Sequence, residues 1–581
     1  MKNVFKIKTL QFFDFLYCSQ INEQLIFKRF LILVFVCSSL KSQNSKKWTA
    51  PLEIPIQLSG TFGEIRSNHF HAGLDIRTQG RQGLKVKSVQ PGWVNRIRVS
   101  TSGYGKAIYI QHVDGTLSVY AHLKKFASKI EDYVKAKQYQ KESFTIQLFP
   151  KADELKIELG ELIGYSGNTG GSMGPHLHFE MRNSQNQNPF NPMQYPFEIE
   201  DTQRPQIQNF YLYSGTSNLD SKREYPLVRK NDSVYVTASI LTAGKLHVGL
   251  RLFDRQNHSY NKNGIYSASV RFNGVEKFRY KMDELSFKDS KNINLFIDYK
   301  TYKEERRRIQ RLLAHPKQNM SFLAVNENDG QFIVEAGKSY QLLVEVRDYN
   351  GNSSYVEAYI TGKEKPNVPS KNIENLLDPH LDYLYDFEDA SVYFPKNTFY
   401  EKVDLEVKYS NDTLFVGQDI YPLNKPFELN LKVPQLDSGE KGHYFLAKIN
   451  NGKASFVSSN QENGRFLGQF KSLGVFAISK DSIAPKIKAV NFKNNQWLSK
   501  YNYLRLKIED DYTGVKSYRG EINGRWIRLE YEPKDQSLVY DFNDLVFDEA
   551  LHQLSIEAED FVGNKTHFTI NFYRSEIFFI V

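Results

Sequence analysis

Apolar and polar residues alternate in short runs over most of this 581-residue chain, and that pattern predicts strands. The runs are separated by turns rich in Gly, and 35 Tyr and 41 Phe residues stand among many Val, Ile and Thr. Side chains of these types fit the pleated, half-buried surface of a sheet. The clearest strand patterns lie at residues 86–89, 93–99, 107–111, 118–120, 403–409 and 427–433. We therefore predict a mostly β protein, and the length indicates three to five domains.

One segment of the first domain, which we place at residues 51–200, departs from this alternation. Ser128 and Glu131 have the spacing of a capping box, in which two side chains satisfy backbone N–H groups at the start of a helix. A helix is therefore expected from this point to about Lys141. Gly is scarce between residues 128 and 157, and we interpret 128–157 as an insertion on the surface of the domain.

A charged run at 303–311 also predicts a helix, in which Glu304 would pair with Arg308 one turn later. We interpret it as part of a helical insertion near 290–320. The basic residues of the run either bind an acidic polymer or form the solvated face of a helix, and we favour the solvated face.

From about residue 201 onward, the chain contains an internal repeat. Three patterns recur in the same order. DTQRP (201–205) recurs as DSIAP (481–485), and Gly264 with Asn273-Gly274 recurs as Gly514 with Asn523-Gly524. DYNGN (348–352) recurs as DFVGN (560–564). We interpret 201–365 and 481–575 as two copies of one β-sandwich (Ig-like) domain, with a separate β domain at 375–480 between them. Gly351 and Gly563 should then both have positive φ, and both Asn-Gly pairs should close hairpins.

The N-terminal segment has the order of an export signal. The basic pair Lys28-Arg29 precedes an apolar run at 30–36, and small and polar residues follow as far as Gln43. Because that run is too short to span a bilayer, we interpret residues 1–42 as a signal peptide with an extended N-terminus. Cleavage is expected near Ser42. The mature chain would then reach the periplasm or cell envelope without a transmembrane span.

Cysteine usage and charge narrow the chemistry. The only cysteines are Cys18 and Cys37, so the mature chain has neither a disulfide nor a thiolate metal site, and any metal ligands must be His, Asp or Glu. Cys37 follows Val36, where lipoprotein signals usually have a small residue, so lipidation is not favoured. Residues 1–42 carry +4 of the formal +10 charge. The remaining +6 suits an anionic cell-wall polymer and gives no reason to expect nucleic acid.

Histidines are concentrated in the first domain. Six of the thirteen lie within 110 residues: His69, His71, His112, His122, His176 and His178. In HAGLD (71–75), a turn at Gly73 would bring His71 and Asp75 onto one metal ion, since zinc accepts both imidazole nitrogen and carboxylate oxygen. This pattern is common by chance, so it indicates a metal site only in combination with the other histidine patterns.

Two further patterns follow it along the chain. In HLHFE (176–180), alternate residues of a strand project to one face, so His176, His178 and Glu180 should lie together. A metal ion or a role in proton transfer would account for the paired imidazoles, and two surface histidines are the alternative. In VYAHL (119–123), His122 ends a predicted strand.

Together and in this order, the three patterns resemble the zinc endopeptidases of the lysostaphin and LytM type. The sequences around them fit as well: GYGKAIYIQHVDGTLSVYAHL (103–123) and GELIGYSGNTGGSMGPHLHFEMR (160–182). The resemblance covers about residues 59–192, roughly a quarter of the chain, and leaves the other β domains outside. It implies a compact β fold with an open groove over an antiparallel sheet.

The resemblance also implies the roles of the site residues. His71, Asp75 and His178 would bind Zn²⁺, and His122 and His176 would form the catalytic pair. Three protein ligands leave a position for water, as in catalytic zinc sites, and without an HExxH helix the histidines are the acid/base groups. The implied activity is that of a metalloendopeptidase that hydrolyses peptide cross-links of peptidoglycan.

Four other residues and one segment carry separate expectations. His112 should be structural, and Tyr104, between two glycines, should line the groove. His69 either supports a ligand or lies in a loop, and Glu180 either orients a histidine or forms a surface pair. The long segment 128–157 departs from the family pattern and leaves the shape of the groove and the substrate preference open.

Two other functions remain open. One is an inactive protein that binds the wall or activates a hydrolase, although all three ligand positions and both catalytic histidines are retained. The other is a zinc peptidase with a protein substrate. The β domains could bind the wall, bind envelope protein partners, or space the catalytic domain from a surface.

Overall fold

A computed structural model describes residues 48–575, except 216–220, 316, 318–319, 326, 365–374 and 434–442. The segment interpreted as a signal peptide, with both cysteines, lies outside the described residues. Strands dominate the described chain, so the prediction of a mostly β protein is confirmed. In the part that the structure describes, no helix combines the length and apolar character needed to cross a bilayer.

Short strands build the first region. Its elements are β1 Leu58–Gly60, β2 Leu74–Arg77, β3 Lys85–Lys87, β4 Gly92–Val99, β5 Ala107–His112, β6 Thr116–Ala121, β7 Lys125–Phe126, α1 Ser128–Lys141, β8 Ile146–Leu148, β9 Lys156–Ile157, β10 Leu162–Tyr165, β11 His176–Asn183 and β12 Pro189–Phe190. Nine strands form an antiparallel sheet in the order β1-β2-β11-β6-β5-β4-β8, with β12 beside β11 and β9 beside β4. Strands β3, β10 and β7 form a second, smaller sheet.

The large sheet has one apolar face in the core. Leu74 and Ile76 of β2 and Leu177 and Phe179 of β11 are fully buried. Since successive side chains of a strand point to opposite faces, the residues between them project from the other face. The sheet thus presents a row of polar side chains over a rigid apolar layer.

The inserted segment joins this sheet in part. Its helix, Ser128–Lys141, has the predicted length, but the predicted capping box is wrong. Ala127 occupies the N-cap position, and Ser128 already lies in the first turn, so its hydroxyl makes no capping bond. Only Glu131 reaches back, accepting a hydrogen bond from the N–H of Phe126 at 2.9 Å. Strands β8 and β9 then pair with β4, so the segment extends the sheet as well as covering its surface.

Three further β regions follow. The first contains β13 Gln206–Ser214, β14 Lys222–Tyr225, β15 Val228–Arg229, β16 Val234–Val236, β17 Ile240–Thr242, β18 Gly244–Phe253, β19 Ser267–Phe272, β20 Val275–Lys281, α2 Ile293–Phe296, α3 Tyr299–Glu305, β21 Gln310–Leu312, β22 Leu323–Val325, β23 Phe332–Val334, β24 Ser339–Arg347 and β25 Ser353–Gly362. The second contains β26 Leu376–Leu377, β27 Tyr383–Asp386, β28 Ala390–Phe394, β29 Val403–Asp404, β30 Val407–Ser410, β31 Thr413–Val416, β32 Phe427–Lys432, β33 Tyr444–Asn450, β34 Lys453–Ser458, β35 Gln461–Glu462, β36 Arg465–Phe470 and β37 Gly474–Lys480. The third contains β38 Lys486–Ala489, β39 Gln496–Trp497, β40 Tyr503–Glu509, β41 Val515–Ile522, β42 Arg525–Trp526, β43 Glu530–Glu532, β44 Ser537–Asp541, β45 Leu551–Asp560 and β46 Lys565–Tyr573.

Pairs of sheets enclose the cores of these regions. In the middle one, the sheets β27-β28-β32-β36-β35 and β30-β31-β37-β33-β34 share a core. Val392 and Leu429 contribute to it from one sheet, and Leu414 and Phe476 from the other. Burial of apolar side chains between two layers is the main stabilisation of a sandwich, at roughly 25 cal/mol per Å² removed from water.

The outer two regions have matching topology. The sheet order β25-β24-β19-β20 in one corresponds to β46-β45-β41-β42 in the other, and the last strand of each pairs in parallel with an earlier short strand. Gly351 and Gly563 both have φ of 95°, as the repeat predicts. Both Asn-Gly pairs have positive φ at each residue and close the hairpins β19–β20 and β41–β42, also as predicted.

The charged run at 303–311 forms a helix only at its start. Helix α3 ends at Glu305, because Arg306 has φ of 59° and turns the backbone into the left-handed region. The predicted pairing of Glu304 with Arg308 is therefore wrong. Arg307 forms an ion pair with Glu305 instead, and the chain continues into β21.

Contacts between the regions close into a ring. The N-terminal region meets the region of β13–β25 where Asn191 N–H donates to the Asp283 carbonyl at 2.8 Å. The region of β13–β25 meets the region of β26–β37 where Lys303 pairs with Asp419 at 2.6 Å. The hydroxyl of Ser459 donates to the carbonyl of Phe561 in the last region at 2.6 Å. The last region then returns to the first, where Asp544 pairs with Lys135 of helix α1 at 2.6 Å.

Candidate metal centre

Strand pairing brings the sequence motifs together. Strand β11 lies between β2 and β6, and His178 is directly opposite Asp75 on one side and Ala121 on the other. His122 follows Ala121 at the end of β6, with φ of 59°. His71 precedes β2 and reaches the same point because the chain passes close over β11. A Cβ on Gly73 would lie 2.2 Å from the Phe179 carbonyl oxygen, so only Gly fits there.

Three ligand atoms converge on one point. His71 Nε2 lies 3.0 Å from Asp75 Oδ1 and 3.1 Å from His178 Nδ1, and His178 Nδ1 lies 2.9 Å from the same carboxylate oxygen. All three side chains are buried. Tetrahedral ligands at zinc distances of 2.0–2.1 Å would stand about 3.3 Å apart, which is close to these separations.

The outer atoms of the two imidazoles fix their tautomers. His71 Nδ1 lies 2.8 Å from the Thr61 carbonyl and must donate to it, so Nε2 presents a lone pair to the centre. His178 Nε2 lies 2.7 Å from Glu180 Oε1, which leaves Nδ1 as its inward atom. With both rings neutral, two nitrogen lone pairs and a carboxylate oxygen face one another, an arrangement that a metal ion between them would stabilise. The residues present therefore fit a metal ion of the zinc type.

Glu180 connects this centre to a second layer of charge. It is fully buried, and its Oε2 accepts from Arg182 Nε at 2.6 Å while Tyr104 donates to Oε1. Burial alone would raise the pKa of Glu180, but Arg182 and His178 outweigh it and lower the pKa. The carboxylate thus stays charged and holds the His178 ring in place. Of the two expectations for Glu180, orientation of a histidine is the one that the geometry matches.

Asp75 is held by its own set of neighbours. Its Oδ2 accepts from Arg66 Nη2 at 2.9 Å, while Oδ1 faces the histidines. Burial acts to raise the pKa of Asp75, but His71, His176 and His178 together hold it well below its usual range. Asp75 is therefore deprotonated near pH 7, and its Oδ1 is a negatively charged donor for a metal ion.

Two more imidazoles flank the centre. His176 Nδ1 lies 2.8 Å from the Gly174 carbonyl, and its Nε2 lies 3.4 Å from Asp75 Oδ1. His122 Nδ1 lies 2.8 Å from the Thr169 carbonyl, and its ring centre is 4.9 Å from that of His176. Each ring therefore donates through Nδ1 to a backbone carbonyl, which leaves Nε2 as the atom that exchanges a proton, and Nε2 of His176 faces Asp75. Burial, reinforced by His178 and His176, lowers the pKa of His122 to about 3, so the ring is neutral at pH 7.

The two remaining histidines of the domain have hydrogen-bond partners outside the three ligand side chains. His112 is buried, with Nε2 2.7 Å from Ser118 Oγ and Nδ1 3.0 Å from the Pro91 carbonyl, which is a structural setting. His69 is an exposed loop residue whose Nδ1 lies 2.7 Å from Asn68 Oδ1. The sequence motifs gave no signal for Arg66, since its contact with Asp75 depends on how the preceding loop folds.

Two parts of the chain match family models. Residues 69–139 and 149–192 match the model of Peptidase family M23, and residues 374–481 match that of a Zu5-like domain. The first region is 34% identical over 120 residues to the DD-carboxypeptidase/endopeptidase Mpg of Neisseria meningitidis serogroup B, covering 20% of this chain and 22% of that protein. It is 34% identical over 99 residues to lysostaphin of Staphylococcus simulans, covering 17% of this chain and 15% of that protein.

A solved structure gives a similar match. The catalytic domain of the antimicrobial peptidase lysostaphin from Staphylococcus simulans is 26% identical, with a TM-score of 0.18, over 23% of this chain and 86% of that domain. The chain spans about a fifth of the length of the curated relatives it matches. Its first domain is a LytM-type M23 peptidase domain. The M23 match supports peptidase activity and a metal cofactor.

Proposed function

We propose that this protein is a zinc metalloendopeptidase that hydrolyses peptide cross-links of peptidoglycan. The observation that carries the proposal is the meeting of three inward-facing donor atoms, from His71, Asp75 and His178, beside two further imidazoles. Such a centre is incomplete without a cation, and its mixed nitrogen and oxygen donors suit zinc. The Neisseria relative is named a DD-carboxypeptidase/endopeptidase, which supports a peptide substrate.

The roles of the chain's own residues follow from their anchoring. Bound zinc would supply the Lewis acid that activates water and the scissile carbonyl. His122 and His176 are each fixed through Nδ1 to a backbone carbonyl, so Nε2 is aimed rather than free to rotate. A neutral imidazole in that position takes a proton from the attacking water, and the resulting imidazolium stabilises the oxyanion or protonates the leaving amine.

The surroundings of the centre suit an extended peptide. Tyr104 stacks on His178 with ring centres 5.1 Å apart, and Gly103 and Gly105 on either side both have positive φ. Gly170 packs so closely on this loop that a Cβ there would lie 2.3 Å from the Gly105 nitrogen. These glycines thus leave space beside the histidines, where an extended substrate chain would bind.

We infer the domain organisation and location from the same material. Residues 201–365 and 481–575 are taken as copies of one β-sandwich, supported by their matched strand order, and 375–480 as a separate β domain. The peptidase domain occupies 51–200. The basic, apolar and small residues of 28–43 support export to the periplasm or cell envelope. There the β domains would meet wall polymer or envelope proteins.

The test is mass spectrometry of the muropeptides that the purified protein releases from isolated sacculi. We expect new peptide ends in the presence of zinc, none after chelation, and recovery when zinc is restored. His178→Ala should release nothing, whereas the matched variant His69→Ala, which changes an exposed histidine outside the centre, should act like the wild type. Zinc-loaded wild type that leaves sacculi intact contradicts the proposal. Cleavage confined to a protein substrate would favour the other peptidase function.

A further inference from the structure

Three carboxylates meet at one end of the first β-sandwich. Asp201 precedes β13, Asp254 follows β18 and Asp348 follows β24. One oxygen from each lies within 4.8 Å of the others. Asp254 and Asp348 are buried and Asp201 is half-buried. None of the side chains that belong to the peptidase centre takes part.

Two side-chain oxygens at this point have no hydrogen-bond donor among the described residues. One is Oδ1 of Asp254 and the other is Oδ1 of Asn263, and each residue is only 4% exposed. Both residues line a cavity of about 30 Å³ together with Asp201 and Asp348. No Lys or Arg is among the described residues that line it. Burying polar oxygens without a donor costs free energy, so the site lacks a positive group.

The electrostatics agree with that geometry. Burial, reinforced by Asp348 and Asp201, raises the pKa of Asp254 to about 8. Burial likewise raises the pKa of Asp201 to about 6, and Asp348 acts in the same direction. Carboxylates that share a buried place disfavour one another's charge, and a cation among them removes that penalty.

The second β-sandwich provides an internal comparison. Asp481, Asp510 and Asp560 have ligand atoms within the same 4.8 Å. There, however, Oδ1 of Asp510 accepts from the N–H groups of Thr513 and Gly514 at 2.9 and 2.6 Å. The short turn from 510 to 514 folds these donors onto the carboxylate. In the first sandwich the corresponding loop runs from 254 to 264, and it places Asn263 at the cluster instead.

We propose that Asp201, Asp254, Asp348 and the side-chain oxygen of Asn263 bind a divalent cation of the calcium type. All four donors are oxygens, which hard cations prefer, and no nitrogen or sulfur donor is among them. Calcium also accepts irregular arrangements of carboxylates and amide oxygens. This site is separate from the proposed zinc centre in both ligands and chemistry.

The cation would join two regions of the chain. The loop from 254 to 264 contacts the segment that leads into the zinc ligands: Leu58 N–H donates to Gln256 Oε1 at 2.8 Å, and Thr61 Oγ1 donates to the Gly264 carbonyl at 3.2 Å. The carbonyl of Thr61 in turn receives the Nδ1 hydrogen of His71. Ordering this loop would therefore brace the strand edge beside the peptidase centre.

The experiment uses full-length protein loaded with zinc and freed of calcium, so that added calcium has only the new site to occupy. Equilibrium dialysis with calcium should give one ion per chain, and calcium should raise the midpoint of thermal unfolding. Asp254→Asn should lose both effects. Because this amide keeps the shape and removes like-charge repulsion, its midpoint without calcium should equal or exceed that of the wild type.

Two further variants locate the ion. Asp510→Asn, the matched change in the second sandwich, should keep the calcium effect of the wild type. Asn263→Ala removes a neutral donor only, and it should weaken calcium binding without abolishing it. The proposal is overturned if the wild type binds no calcium, if Asp254→Asn responds as the wild type does, or if Asp510→Asn loses the ion.

Discussion

Two clusters of buried polar side chains in this protein differ in where their hydrogen bonds come from. In the turn at Asp560, Oδ1 accepts from the N–H groups of Val562 and Asn564, and Oδ2 accepts from Asn564 Nδ2 at 2.7 Å. At the peptidase centre, His71 and His178 use their outer nitrogens for anchoring and aim their inner ones at each other. The first cluster is complete by itself. The second aims its donor atoms at one another, as the ligands of a metal ion do, and composition alone does not separate the two cases.

The largest effect is expected from removing a donor of the open cluster. His178→Ala or Asp75→Ala should empty the zinc site and reduce hydrolysis to the background rate, because the remaining two donors no longer define a site. Metal analysis of the purified variant, together with muropeptide release, measures both. His69→Ala serves as the control that keeps metal and activity. Stoichiometric zinc in either ligand variant would show that other residues hold the ion.

A smaller loss is expected from the two imidazoles that flank the centre. His122→Ala and His176→Ala should retain zinc but turn over about 10²–10⁴-fold more slowly, which is the usual range for acid/base groups. Zinc content and kcat measured on the same preparation distinguish this result from loss of the metal. If either variant loses its zinc, that histidine is a ligand and the division of roles is wrong.

A change at Glu180 tests whether the hydrogen bond that anchors the His178 ring contributes to zinc affinity. Glu180→Gln keeps an acceptor for His178 but removes the charge, and zinc affinity should fall about 10–100-fold, as is usual for groups that orient a ligand. A zinc titration in competition with a chelator of known affinity measures this change. Circular dichroism shows whether the sheet is intact. Unchanged zinc affinity would mean that the His178 ring is held by the sheet alone.

At the closed cluster, the expected loss is in stability. Asn564→Ala leaves Oδ2 of the buried Asp560 without its donor, which should destabilise the last β-sandwich by about 1–3 kcal/mol. Zinc binding and hydrolysis of short peptides should not change. Asn352→Ala makes the same change in the first copy, where Asn352 Nδ2 donates to Asp348 at 2.7 Å, and it is measured without calcium because Asp348 belongs to the proposed calcium site. Denaturant unfolding, monitored for each domain, gives the loss of stability in each variant. A loss of hydrolytic activity in either variant would contradict the view that this cluster only stabilises the fold.

The smallest effect is expected at Gly563. Its φ of 95° disfavours a side chain, but a Cβ there would meet no atom within 4 Å. Gly563→Ala should therefore cost about 1 kcal/mol through the backbone alone. Gly351→Ala in the other copy has the same φ and the same open space, so equal losses are expected. A much larger loss in one copy would show that its turn is held differently.

The site was predictable because its motifs are local to strands. Alternation places His176 and His178 on one face, and Gly73 allows His71 and Asp75 to approach, so pairing of two strands completes the centre. The anchoring groups were not predictable, since the contacts of Arg66 and of the Thr61 and Thr169 carbonyls depend on loops folding together.

The fold was predictable where a sequence pattern repeats along the chain. It was not predictable where the conformation of a single residue sets the start or the end of a helix. The strand alternation and the repeated turns predicted the β architecture and the positive φ of both glycines. The predicted capping box is absent because the helix begins one residue earlier than the motif requires, at Ser128, with Ala127 in the N-cap position. The pairing of Glu304 with Arg308 failed because Arg306 leaves the helix. Asp254 and Asp510 were overlooked because their loops differ in length, although both follow an apolar strand of the repeat.

The ring of contacts makes the last β-sandwich a tethered ligand of the peptidase domain. Two covalently linked regions keep it nearby, so its effective concentration at helix α1 depends on the tether and not on the concentration of the protein. An interface too weak to join two separate molecules is therefore enough to hold it. Part of that interface is ionic, with Lys135 paired to Asp544 and Glu142 to Arg519 at 2.8 Å. Salt screens exposed pairs such as Glu142–Arg519 over distances of about 8–10 Å, so a rise in ionic strength weakens this part of the interface without unfolding either domain.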